Sequence, residues 1–224
     1  DAQPLGSRMV FLKLVAMGMR GGHSGVDIAK HRANANKIMA RLLGAGLSAG
    51  PIRLAELGGG SAKNVIPRQC EALIACDREH AAAVKAAQDS SARVIAGEFA
   101  QTEPEMVIHI DEVEAVDAGR RAVTEKDTAS VVDLLMAMPS GPVDMEVHDP
   151  ARVSASVNLA IVKLEEGALA VTSSQRGSVP SRLDDICSAV EAMGRLAGAR
   201  VRTTEGYPSW PMNPDSALLE RCTA

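Results

Sequence analysis

The chain has almost no aromatic residues. Phenylalanine, tyrosine and tryptophan make up 2% of 224 residues, against a hydrophobic share of 46%. The core must therefore be built from Ala, Val, Leu, Ile and Met, and nucleic-acid binding lacks the platforms on which bases stack. A basic block is missing too: net charge is −4, without the footprint of a phosphate-backbone partner. No apolar run approaches the roughly 18 residues of a membrane span, because Lys13 interrupts the best one. No signal-peptide pattern opens the chain. Cys70, Cys76, Cys187 and Cys222 form no CxxC and no metal-ligand spacing, so they read as reduced, packing cysteines of a cytoplasmic protein. An initiator methionine is also missing. The chain opens "DAQPLG" and stops at "SALLERCTA" in what reads as a helix, so a piece of a larger protein is expected.

What is present reads as α+β. Val10–Met17 is a short apolar strand. Helical spacing follows Val26 (Ile28, Ala35, Ile38, Met39, Leu42, Leu43) and ends near Gly44 and Gly46, with Ser24 as the expected N-cap. Ile52–Leu57 and Glu71–Asp77 read as strands around the glycine-rich turn "GGGSAKNVIP". Glu79 to Phe99 is an alanine-rich helix, and Glu105–Val113 alternates as a half-buried strand does.

The second half repeats this order. Thr124–Met138 is a helix with Thr124 as N-cap and Asp127 three residues on. Val153–Leu164 and Leu169–Ser174 form a hairpin around "EEG", Arg182–Leu196 is a helix, and Ala199–Thr204 a last strand. Arg78 and Arg176 stand at equivalent hairpin ends. Strand–helix–strand–strand–helix–strand is the split unit of ferredoxin-like sandwiches. The expected fold is therefore α+β: two ferredoxin-like lobes, 1–120 and 121–205, with a mainly antiparallel sheet and helices on one face. Residues 206–224 lead out through "GYPSWPMNPDS".

Chemistry has few carriers. His23, His31, His80, His109 and His148 include no HExxH and no partner at ligand spacing. Asp111–Glu112 and Glu165–Glu166 read as a solvated strand face and a hairpin turn. The chain is expected to hold no metal of its own. "GMRGGHSG" (Gly18–Gly25) lies where a dinucleotide loop would lie, without GxGxxG register or GK[ST]. Ser24 beside His23 has no orienting acid, as a triad needs. Single polar groups remain. His23, bared on glycines, could donate to a substrate oxygen or be an idle loop residue. Asn64 is a substrate contact or a turn former. Arg176 and Arg78 are anion ligands or surface charges, and a cation at a helix start opposes the helix dipole.

"GMRGGHSGVDIAKHRANANKIMARLL" followed by "GGGSAKNVIPR" resembles the aminoacyl-histidine (Xaa-His) dipeptidases, within the zinc-dependent aminoacylase and carboxypeptidase family. "SVNLAIVKLEEGALAVTSSQRGS" is similar to the second-lobe hairpin of that group, and "YPSWPMNPDSALL" to its return into the catalytic domain. One departure is Ala29, where many relatives carry histidine. The resemblance implies a lid inserted into a catalytic domain that binds two zinc ions with ligands outside this chain, and a fragment inactive alone. It implies that His23 stabilises the oxyanion of a dipeptide under hydrolysis, and that Asn64 and Arg176, with Arg78 as the alternative, hold the substrate carboxylate. It also implies a homodimer through the lid. The competing reading is a stand-alone amino-acid-binding regulatory module of tandem ferredoxin-like lobes, which would leave the GGHSG and N-x-IPR pair unexplained.

Overall fold

The computed structural model describes residues 2–4, 9–114, 121–146, 149, 151–165, 167–208 and 216–223. His148, Glu166 and most of the proline-rich exit lie outside the described residues.

The first unit runs β2 (Met9–Met17), α1 (Ala35–Ala49), β4 (Arg53–Gly59), β6 (Cys70–Asp77), α2 (Arg78–Glu98) and β7 (Val107–Val113), after a short β1 (Ala2–Pro4). Its strands pair antiparallel in the order β4-β6-β2-β7, the ferredoxin-like order. Alternation explains the layering. Val10, Leu12, Leu14 and Ala16 of β2 join Ile38, Met39, Leu42 and Leu43 of α1 in one core. Phe11, on the other face, makes a small cluster with Leu73 and Ala75. Each fully buried Leu or Ile contributes about 1.5–3 kcal/mol, so α1 is the main anchor of the helical layer.

The second unit contributes β8 (Arg121–Val123), which pairs with β1, then α3 (Glu125–Ala137), β9 (Gly141–Met145), β10 (Val153–Glu165), β11 (Ala168–Gly177) and α4 (Pro180–Leu196). Thr124 caps α3 as expected, its Oγ1 accepting from Asp127 N at 3.0 Å. β10 pairs with β11 along its length, with β9 near its start, and through Val162–Leu164 with Gly59–Leu57 of β4. The two hairpins thus meet through their equivalent first strands in one seven-stranded antiparallel sheet. Lys37 of α1 fastens the layers by donating to Leu135 O, Met136 O and Met138 O, each at 2.8 Å, at the end of α3. The α+β class and the mainly antiparallel sheet hold. A last helix, α5, covers Ala217–Thr223.

Four local expectations are corrected. The first helix starts at Ala35, not after Val26, because Asn34 is its cap: Asn34 Oδ1 accepts from Asn36 N at 2.9 Å and Lys37 N at 3.3 Å. Ser24 caps nothing; it lies in a turn before a 3-10 segment, Ile28–Lys30. That helix also continues through Gly44 and Gly46 to Ala49, and Gly46 is small because Gln88 packs there, 2.7 Å from where a Cβ would stand. Residues 199–204 form no strand. The second unit is therefore an incomplete split unit, and it flanks β10 with β9 instead.

Candidate functional site

β2 ends at Met17 and the chain turns into Gly18–Gly25. The buried carboxylate of Glu103 pins both flanks of the following excursion, accepting from Arg20 N at 2.7 Å and Ala33 N at 2.9 Å. Arg68 Nε donates to Met19 O at 3.1 Å, and Arg32 donates to Gly21 O. Gly22 sits at φ +137°, where a Cβ would lie 2.6 Å from Asp27 Oδ2. Only glycine fits that position. His23 N donates to Asp27 Oδ2 at 2.8 Å, and Asp27 N returns to His23 O at 2.9 Å. A hydrogen bond from Lys30, then that of His23 N–H and the charge of Arg32, hold the Asp27 carboxyl below its usual range.

β3 (Gly22–His23) pairs with β5 (Val65–Ile66), putting His23 opposite Val65. Ser24 N donates to Asn64 O at 2.9 Å. His23 and Asn64 are thus neighbours. The imidazole is exposed, but its Nδ1 is engaged: it accepts from Gly25 N and Val26 N, both at 3.2 Å. A ring nitrogen that accepts carries no proton. The ring proton of the neutral form is therefore on Nε2, and His23 presents an N–H donor away from the loop.

Arg176 reaches the same place from the second unit. A Cβ at Gly25 would lie 3.2 Å from His23 Cε1 and 3.3 Å from Arg176 Cζ, so imidazole and guanidinium flank one point that a side chain would fill. Arg176 Nη1 donates to the Tyr207 hydroxyl at 2.7 Å, while its Nε is buried without a partner.

Arg78 does not join them. It heads α2 after Asp77, which lies opposite Met9, whereas the loop follows the other end of β2, where Cys70 lies opposite Ala16 and Gly59. The eight residues of β6 separate the two ends by roughly 23 Å at about 3.3 Å per residue. The two arginines share a junction but not a residue position, since Arg176 lies inside β11 and α4 begins only at Pro180. One group of potential metal ligands, unnoticed in the sequence, occurs among the described residues at the Arg78 end: Asp77, Glu79 and His80, with ligand atoms within 4.8 Å of one another. It stands at the N-terminus of α2, where the helix dipole disfavours a cation. Burial pushes the Cys70 and Cys76 thiols up, as packing residues require.

Sequence reasoning also missed a polar cluster behind the site. Asn158 of β10 is buried, and its Nδ2 donates to Val65 O at 2.8 Å and Lys63 O at 3.3 Å. Its only outward signal was a polar letter in an apolar strand.

Residues 16–103, which carry His23, Asn64 and the core of the first unit, match the family model of the peptidase dimerisation domain, M20_dimer. That match covers less than half of the chain. The chain is similar to the cytosol non-specific dipeptidase of Escherichia coli (strain K12), 28% identical over 207 residues, 92% of this chain and 42% of that protein. Its fold matches the crystal structure of the aminoacylhistidine dipeptidase from Vibrio alginolyticus, with TM-score 0.88 and 27% identity over 98% of this chain and 44% of that one. The chain spans less than half the length of either.

Proposed function

We propose that this chain is the lid and substrate-binding part of a zinc-dependent dipeptidase acting on Xaa-His and related dipeptides. One observation carries the reading: an exposed imidazole, its Nδ1 tied to two backbone N–H groups, stands beside a guanidinium across the bare Gly25. Negative charge grows on the scissile carbonyl oxygen as a peptide bond is hydrolysed. The His23 Nε2–H, fixed in direction before substrate arrives, donates to that oxygen; such a preorganised donor is worth about 10²–10³ in rate. The Arg176 guanidinium matches the planar substrate carboxylate by bidentate pairing, and Asn64 adds a neutral polar contact. Arg78, at the other end of the sheet, is not assigned to the clamp.

The described residues near His23 do not fit a two-ion centre. In this reading the zinc ligands and the general base belong to residues outside these 224. A homodimer is in keeping with the family of residues 16–103, and a cytoplasmic setting with the cytosol dipeptidase relative.

The test is His23→Ala in the full-length enzyme. Zinc content and fold should be unchanged and kcat should fall by about 10²–10³. Near-normal turnover would overturn the reading.

A further inference from the structure

We infer that Asn158 is a positioning residue, which sets Asn64 and His23 in place relative to Arg176. The inference rests on the functional reading above for what is positioned, and on the geometry for how. Asn158 sits between buried apolar residues, Val157 and Leu159. A buried amide costs free energy unless its groups are paired, and this one is paired throughout. Nδ2 takes the carbonyls of Lys63 and Val65, the two residues that bracket Asn64, and Oδ1 accepts from Asn34 Nδ2 at 3.4 Å. Asn34 in turn donates to Ser140 Oγ at 2.9 Å and Leu159 O at 3.0 Å, and Asn36 Nδ2 to Leu159 O at 3.1 Å. A strand of the second unit therefore grips the turn of the first that carries Asn64.

The grip passes to the imidazole. Val65 is the ladder partner of His23, and Asn64 O accepts from Ser24 N. On the same strand, Ser156 is the ladder partner of Arg176. Residues 156 and 158 point to one face of the sheet, about 7 Å apart along the strand. β10 thus holds the oxyanion donor with one residue and the carboxylate clamp with another. An apolar side chain at 158 would suit the core equally well, but would release both carbonyls.

The experiment uses the full-length, zinc-loaded enzyme with Asn158→Ala and the near-isosteric Asn158→Asp, which lacks the donors. Amide exchange should rise in residues 20–27 and 61–68 and stay unchanged in β2, β6 and β7. kcat/KM should fall about 10- to 100-fold, as for a slightly misplaced site. In a His23→Ala background the further loss in kcat should shrink to under about threefold, because residues acting through one another are not additive. Unchanged exchange in the two segments, a fully additive loss, or lost protection across β2, β6 and β7 in both variants would each overturn the inference. If His23→Ala alone leaves turnover near normal, the functional reading fails, and the exchange measurement still decides the role of Asn158.

Discussion

The two units of this chain are built to the same order and spend it differently. In the first, α1 buries eight of its residues and the strands β4, β6 and β2 are paired on both sides. In the second, α4 buries only Ile186, and among the described residues no strand follows it to close the unit. The first unit is a complete sandwich; the second leans on it through three ladder pairs between β10 and β4. What the second unit gains is reach. Freed from matching β4 in length, β10 runs on past it to Asn158 and Ser156, carrying Arg176 to the histidine loop. The site lies where the supported unit overhangs the supporting one.

Stability measurements should show the largest contrast. Leu42→Ala, in the core of α1, should cost about 2–5 kcal/mol, while Leu196→Ala, 88% exposed at the end of α4, should stay within about 0.5 kcal/mol. Equal shifts in urea midpoint would end the distinction between a supporting and a supported unit. Next comes the pair of arginines. Arg176→Ala in the full-length enzyme should raise KM about 10- to 100-fold, as for loss of charged hydrogen bonds, whereas Arg78→Ala should change it less than about twofold. A comparable loss from Arg78 would mean that the two hairpin ends share a role after all. The smallest effect concerns caps. Thr124→Ala should cost about 1 kcal/mol, and Asn34→Ala more, since Asn34 also bonds Ser140 and Leu159. Urea titration of both variants orders them.

Much of this was legible in the residues. Short apolar runs, the alternation of Glu105–Val113, helical spacing and alanine content located the long strands and helices, β2 and β6 reading as apolar runs because they bury residues on both faces. His23 and Asn64 stood out as polar groups on bare or turn-forming segments and Arg176 as a cation after a small polar run, and the structure places His23 beside both. Short elements were not legible: β9 follows α3 without an alternating pattern, and β1 finds β8 only across the fold. The start of α1 was misplaced because the restraints that hold Val26–Ala33 out of the helix are tertiary, from Glu103 to Ala33 and from Arg32 to Gly21. The expected strand at 199–204 had β-prone residues but pairs with no strand. Asn158 was invisible for the same reason it matters, since its partners are main-chain carbonyls some 90 positions away in sequence.

Among the described residues β11 pairs with β10 on one flank only, and Arg176 stands near its end. A change in β10 is felt by Asn64, His23 and the seam with β4 together, so mutation there has little freedom. A change in β11 has one ladder neighbour to satisfy among the described residues. Under the proposed function, the route by which a lineage, or a selection experiment, would alter what Arg176 accepts while sparing His23 therefore runs along that outer strand, through residues 172–177.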